Sequence, residues 1–311
     1  TVKVGKGYAL NYALNNIKEE YGYDHFDAYF VFDADNVLDP NYIEEMNKTF
    51  SDGYNIITSY RNSKNYGDSW ISAGYALWFL RESKYLNYSR MLLDTSCAIS
   101  GTGFMFSKEI AQRMEGWKYY LLTEDIEFTV DNITRGQKIG FCKNAVLYDE
   151  QPTGLKQSIR QRMRWAKGYI QVFTNYGLRL IKGTVKGDSF SCYDMSMTIM
   201  PAIISSIASV AVNGTALVAG LIADVSVEPI ITAFIGAVIG MYATMYAIGL
   251  ITTITEWNNI YTTTSRKILY TFTFPLFMFT YVPITLVAIF KKVEWKPIPH
   301  NASVNISDIE K

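Results

Sequence analysis

The sequence predicts an α/β domain followed by a helical transmembrane region, and three observations carry that reading. Residues 1–150 alternate strand-like apolar runs with segments of helical periodicity, the pattern of helices packed on a sheet. The charges are partitioned: residues 1–194 carry 46 of the 58 charged side chains, 23 of each sign, and residues 195–311 carry only 12. Within that second part Met195–Ala223, Pro229–Thr255 and Ile268–Phe290 contain no Asp, Glu, Lys or Arg. Each exceeds the roughly 20 apolar residues needed to cross a bilayer as a helix. The balance of charge in both parts argues against a nucleic-acid partner, because no basic excess exists to neutralise phosphates.

Residues 8–20 have Leu10, Leu14 and Ile17 at helical spacing, and Ala28–Phe32 is an apolar run that ends in Asp33, Asp35 and Asn36, a strand feeding a loop. A helix over Pro40–Phe50, a strand over Asn55–Ser59 and a long helix over 68–93 come next. Ala98–Phe106 reads as a strand interrupted by Gly101 and Gly103. Thr123 is an N-cap candidate for a helix from Glu124 to Arg135, closed by Gly136. Ile139–Tyr148 is strand-like and Leu155–Asn175 helical. Mostly parallel connections are expected for such an alternation. Residues 176–194 mix Arg179, Lys182 and Lys186 with Leu178, Leu180, Ile181 and Phe190, which suits a helix lying on the cytoplasmic membrane surface. Spans are expected over about 197–222, 230–254 and 269–290. Three full crossings would put Lys291, Lys292 and Lys296 outside, against the positive-inside tendency. Pro275 and Pro283 leave open a broken or re-entrant third segment.

Cys97, Cys142 and Cys192 are widely spaced, with no metal-ligand or disulfide pattern, as expected of a reduced, cytoplasm-facing domain. The chemistry-bearing residues lie elsewhere. Asp33-Ala34-Asp35 places two carboxylates on one side of a strand end, within reach of one hard divalent cation; a polar turn is the plainer reading. Thr123-Glu124-Asp125 opens a helix, where acidic residues complement the dipole, and Asp125 is also a candidate general base. Gln161, Arg164 and Trp165 share a helical face that offers donors to a diphosphate and a flat surface to a sugar. Arg160, Arg162 and Lys167 are expected on a solvated face of that helix. The glycines of Ser100-Gly101-Thr102-Gly103 permit a bend or close approach of a ligand to backbone.

In order, Lys6-Gly7-Tyr8-Ala9-Leu10-Asn11, Asp-Ala-Asp, Ser-Gly-Thr-Gly, Thr-Glu-Asp and Gln-Arg-Met-Arg-Trp, followed by apolar spans, resemble the membrane-embedded family 2 glycosyltransferases. That group includes cellulose, chitin, hyaluronan and poly-N-acetylglucosamine synthases. The resemblance implies a GT-A-type catalytic domain over 1–175, lacking its N-terminal nucleotide-binding strands. An interfacial segment over 176–195, transmembrane helices within 196–292 and a polar tail over 293–311 complete the expected organisation. It implies that Asp35, with Asp33, holds Mg²⁺ or Mn²⁺ on the diphosphate of a UDP-sugar, and that Lys6 helps hold the nucleotide. It implies further that Gly101, Thr102 and Gly103 line the donor sugar and acceptor end. Asp125 is then the base with Glu124 beside it, Gln161 and Arg164 grip the diphosphate, and Trp165 stacks under the acceptor sugar. The expected reaction is inverting transfer from UDP-sugar to a growing β-linked polysaccharide, at a multi-pass plasma-membrane protein surrounded by lipid. The alternatives are single addition to a lipid or lipid-linked acceptor, and a non-catalytic membrane scaffold or transport subunit. The stretch Trp295–His300 resembles a tail motif of some bacterial synthases and has no assigned chemistry.

Overall fold

A computed structural model describes residues 4–187, 189–223, 228–295 and 306–309; Lys296 and the rest of the expected tail motif after Trp295 lie outside the described residues.

The first half of the chain is built on five strands: β1 Ala28–Val31, β2 Val37–Leu38, β3 Ile56–Ser63, β4 Phe104–Ser107 and β5 Ile139–Asp149. Their order is β1-β4-β3-β5-β2. The pairing is mixed and not mostly parallel: β3 and β5 run parallel, while β4 is antiparallel to both β1 and β3, and β2 to β5. It follows that β1, β3 and β5 all point the same way, with β4 reversed between them. The carboxyl ends of three strands and the amino end of β4 therefore meet along one rim, where open α/β sheets bind ligands.

Every residue of β3 is buried, and the strand extends four residues past Ser59, where the apolar run stops. The polar residues Arg61–Ser63 belong to the strand because they pair in register with Leu147–Asp149 of β5. Conversely β4 begins only at Phe104. Residues 98–103 are loop, because Gly101 and Gly103 both adopt positive φ, 85° and 66°, outside the β region.

Helices α1 (Lys6–Tyr21) and α2 (Tyr42–Ser51) flank β1, and α3 (Trp70–Arg81) passes through a π-helical segment, Glu82–Asn87, into α4 (Tyr88–Leu92). A capping box starts α3, with the Ser69 and Ser72 side chains exchanging hydrogen bonds with each other's backbone N–H groups. After α5 (Lys108–Met114) comes α6 (Glu124–Thr134), packed against α7 (Leu155–Lys186). The helix expected to stop at 175 thus runs on as one 32-residue element. Its second half is held to α6 by Tyr176 Oη donating to Glu127 (3.0 Å) and Arg179 to Asp131 (3.2 Å). Leu178, Ile181 and Val185 remain exposed, an amphipathic face.

The apolar part comprises α8 (Phe190–Ile199), α9 (Pro201–Ile222), α10 (Glu228–Thr255), α11 (Thr264–Phe279), α12 (Tyr281–Phe290) and the short α13 (Ile306–Ile309). By length and composition alone, Glu228–Thr255 and Thr264–Phe290 could each cross a membrane. The third apolar stretch is interrupted only at Thr280, whose backbone angles stay helical (φ −66°, ψ −14°), with α11 packed on α3 and α12 on α7. One aromatic core ties the layers together: Phe104, Phe106, Trp117 and Phe128 pack in mutual contact with ring centroids 5.1–6.4 Å apart.

Candidate active site

Asp33 follows β1, so its carboxylate stands at the rim. Lys6, at the start of α1, donates to Asp33 Oδ1 (2.6 Å) and to the Gly101 carbonyl (2.6 Å). Three residues placed far apart in sequence thereby meet. The backbone N–H of Asp33 donates to Thr102 Oγ1 (2.9 Å) and Asn36 Oδ1 (3.2 Å), and Thr102 and Asn36 are themselves hydrogen-bonded. Gly103 is fixed between strands: its N–H donates to Val31 O (3.0 Å) and its carbonyl accepts from Ser59 Oγ (2.7 Å). A Cβ there would lie 1.8 Å from Leu147, so only glycine fits.

Asp35 is turned differently from Asp33. Its carbonyl accepts from Lys64 (2.9 Å), and its carboxyl is hydrogen-bonded to Asp149 at the end of β5. Among the described residues no group of three or more His, Cys, Asp or Glu side chains has a metal-binding arrangement. Asp33 and Asp35 nonetheless offer the oxygen-only donor set that a hard cation takes when substrate phosphates and water complete its shell.

Thr123, Glu124 and Asp125 begin α6. Thr123 is not a side-chain N-cap, for it makes no capping hydrogen bond. It lies instead against Gly168 of α7, where a Cβ would come within 2.5 Å of the threonine side chain. That close approach sets Arg164 near the acidic pair. Asp125 is raised above the ordinary aspartate range by burial, against the N–H of Ile126 and the charges of Lys6 and Arg164, which pull it down. Glu124 is pushed up to about 7, by burial first and then by the charge of Asp125. The position of a Gly101 Cβ would be 3.9 Å from Asp125 Oδ2 and 3.9 Å from Arg61 Nη1, so the base candidate looks onto the glycine loop.

On α7, Gln161 Oε1 is buried and Trp165 packs edge-on against Tyr75 and Phe79 of α3, at 5.6 and 6.1 Å. Arg162 is not solvated, and Lys167 is only partly so. Arg162 is fully buried, and Lys167 donates to the Ile289 carbonyl of α12 (3.1 Å). Both are taken up by the apolar helices that fold back onto α7.

Three residues at the rim carry no sequence motif: Arg61, Asn36 and Asp149. The Arg61 guanidinium lies 3.6 Å from the Phe79 ring centroid, donates to Asp149 through Nε (3.0 Å) and Nη2, and to Ser100 O through Nη1 (2.7 Å). Burial alone would raise Asp149, but Arg61 holds it below its ordinary value. Asp149 closes β5 as Asp33 follows β1; the parallel alternation of strands is the signal that marks both.

Residues 2–168 match the profile of the family described as Glycosyltransferase like family 2. The chain is 27% identical over 173 residues to a "Probable glycosyltransferase" of Sulfolobus acidocaldarius, covering 53% of this chain and 36% of that one. It is 36% identical over 70 residues to the "Probable glycosyltransferase YdaM" of Bacillus subtilis, covering 22% and 17%. A third relative, from Dictyostelium discoideum, is named as a UDP-forming cellulose synthase catalytic protein; it is 25% identical over 108 residues, covering 35% and 10%. The matched stretches thus span about a third or less of these relatives' lengths. The matched family region runs from before Lys6 to just beyond Trp165, and so takes in every motif gathered around the rim: the chain belongs to glycosyltransferase family 2 and is a glycosyltransferase.

Proposed function

We propose that the protein transfers a sugar from a UDP-sugar to the end of a growing β-linked polysaccharide at a membrane, with inversion at the anomeric carbon. The observation that carries this reading is the convergence of Asp125, Lys6, Asp33 and the glycine loop on one rim. Asp125 Oδ2 accepts the proton of the acceptor hydroxyl as its oxygen bonds to the anomeric carbon, and the bond from that carbon to the diphosphate breaks with UDP leaving. A raised carboxyl is a stronger base when ionised, which suits this task. Arg164 and Gln161 bind the diphosphate, Arg164 supplying positive charge as the leaving group becomes more negative. Lys6 shifts between Asp33 and the nucleotide. Family 2 enzymes generally use a divalent metal; Asp33 and Asp35 would hold Mg²⁺ or Mn²⁺, which would supply further charge against the diphosphate. Gly101–Gly103 leave room for the donor sugar, and Trp165 borders the acceptor.

Extension of a polymer is favoured over single addition to a lipid by the packing of α11 on α3 and α12 on α7, which sets apolar helices beside Trp165. The test is incubation of the full-length protein with a panel of radiolabelled UDP-sugars. Labelled polymer is expected, and one-sugar products would favour the lipid-acceptor reading. Asp125→Asn is expected to lower transfer by about 10²–10⁴-fold, and Asp35→Ala to abolish the dependence on added Mg²⁺ or Mn²⁺ together with most activity. Transfer intact in both variants would return the protein to a scaffold role.

A further inference from the structure

The loop that faces Asp125 has little stiffness of its own. Gly101 and Gly103 both take positive φ and carry no side chains, and one internal bond, Thr102 N–H to Ser100 O (3.1 Å), turns the loop without fixing its height above the rim. Besides the Gly103 N–H bond to Val31 and the Thr102 hydroxyl's bonds to the Asp33 loop, three side chains hold its carbonyls: Arg61 Nη1 at Ser100, Lys6 Nζ at Gly101 and Ser59 Oγ at Gly103. Two of these donors also reach the other rim loop: Lys6 directly through Asp33, and Arg61 through Asp149, which accepts from Asn36. Asp149 accepts from Arg61 through Oδ2 and from Asn36 Nδ2 through Oδ1 (3.3 Å), while Gln151 Nε2 adds a bond to Oδ2 (3.0 Å). Asn36 in turn holds Thr102 and the Asp33 N–H, and Asp33 holds Lys6. The chain of contacts closes on itself: Arg61, Ser100, Gly101, Lys6, Asp33, Asn36, Asp149, Arg61.

We propose that Arg61 is a positioning residue for sugar transfer, setting the Ser100–Gly103 backbone against the Asp33–Asn36 loop and thereby fixing the donor sugar relative to Asp125. The proposal rests on the glycosyltransfer reading above. A fold-stabilising ion pair alone would not need this arrangement, since a buried pair is often replaceable by apolar residues without loss. Arg61 instead uses its planar fork for two partners at once, with Phe79 behind it fixing the plane. Saturation by Asp149 also keeps the guanidinium from turning to Asp125, although each lies 3.9 Å from the Gly101 Cβ position. The base therefore stays unpaired beside a cation.

The test uses the full-length protein in lipid nanodiscs with a UDP-sugar that the wild type turns over. Arg61→Lys keeps the charge but cannot reach Asp149 and Ser100 together. It is expected to lower kcat about a hundredfold, the scale of a misplacement near 1 Å, with KM for the donor within about twofold. Asn36→Ala opens the same ring at a neutral link and is expected to lower kcat about tenfold. The double variant is expected to be no worse than Arg61→Lys alone, because a ring cut twice is no looser than a ring cut once. Wild-type kcat in Arg61→Lys, a loss confined to KM, or losses that multiply in the double variant would each overturn the proposal. If Arg61→Lys does not fold, Asn36→Ala decides: a fall in kcat at constant KM supports the ring, and unchanged kcat or raised KM refutes it. A wild type that transfers no sugar, or an active Asp125→Asn, instead overturns the glycosyltransfer reading itself.

Discussion

Glu124 and Asp125 sit side by side at the start of α6, and burial acts on both in the direction that makes ionisation costly. The consequence for stability has a definite sign. The folded-state carboxyl of Glu124 titrates at about 7 instead of 4.5. Its contribution favours the fold fully below the lower value and is lost as pH rises through the upper one. The loss amounts to about 2–3 kcal/mol at alkaline pH. Glu124→Gln, which resembles the protonated acid, is expected to match the wild type in melting temperature at pH 4 and exceed it at pH 8. Equal melting temperatures at both pH values would show that the carboxyl is not held in this environment. For activity the sign is opposite: the base role proposed for Asp125 requires its ionised form, so kcat/KM is expected to fall on the acid side along a limb lying above the ordinary aspartate range. The acidic pair is thus a place where the site works against the stability of the fold.

At the scale of elements, α7 does more than present Gln161, Arg164 and Trp165. Arg162, on the same helix, is fully buried with no carboxylate in ion-pair distance among the described residues. Its charge is met by the faces of Phe277 (4.3 Å) and Tyr281 (4.8 Å), and Nη1 donates to Phe277 O (3.0 Å) and Thr280 Oγ1 (2.6 Å). Those acceptors lie at the carboxyl end of α11, the negative pole of that helix. Arg162 therefore clasps the joint between α11 and α12 to the catalytic domain. Arg162→Ala is expected to cost about 3 kcal/mol or more, whereas Arg160→Ala, two residues away and exposed, should stay within about 0.5 kcal/mol. Thermal unfolding of both variants in detergent checks the contrast; similar midpoints would mean that the joint is held by apolar contact alone. Arg162 also shows why part of the molecule was not legible in sequence. Periodicity within 155–175 identifies a helix and its motif face, but a basic residue reads as solvated until a distant segment folds over it. The same limit hid Arg61 and Asp149, whose neighbours come from four separated segments. What periodicity and strand-end chemistry did reveal was local: β1 with Asp33, α6 with its acidic first turn, and the helical face of Gln161, Arg164 and Trp165.

Across the whole molecule, the contacts between the two halves bear on the sidedness of the apolar helices. The turn between α10 and α11 is seated on the catalytic sheet: Tyr60 Oη donates to Glu256, Asn62 Nδ2 to Asn259 O (2.8 Å), and Lys84 lies 3.2 Å from Glu256. Tyr85 and Thr255 join hydroxyls at 2.7 Å. From that turn α11 runs along α3, with Phe277 packed on Tyr75, and α12 continues along α7 to end where Lys167 meets Ile289. Both ends of the third apolar stretch therefore lie against the catalytic domain. One residue, Thr280, separates α11 from α12 and keeps helical backbone angles (φ −66°, ψ −14°), so by length the 27 residues Thr264–Phe290 could span a hydrocarbon core of roughly 30 Å, and it is the contacts at both ends that argue against a crossing. By contrast α10, with 28 residues, reaches about 42 Å and exposes Ile231, Phe234, Ile235 and Ile239 along its length. A crossing by α10 with a re-entrant α11–α12 arm keeps Lys291 and Lys292 on the catalytic side, which removes the conflict with the positive-inside tendency that three full crossings create. Single cysteines decide the matter, because Cys97, Cys142 and Cys192 are all buried and should give little background labelling. In sealed vesicles, a membrane-impermeant maleimide is expected to label Asn258→Cys and Lys292→Cys from the same side as Tyr12→Cys on α1, and Glu228→Cys at the start of α10 from the opposite side. Labelling of Lys292→Cys together with Glu228→Cys would instead establish that the third apolar stretch crosses the bilayer, and the contacts of Arg162 and Lys167 with it would then have to be broken in the membrane.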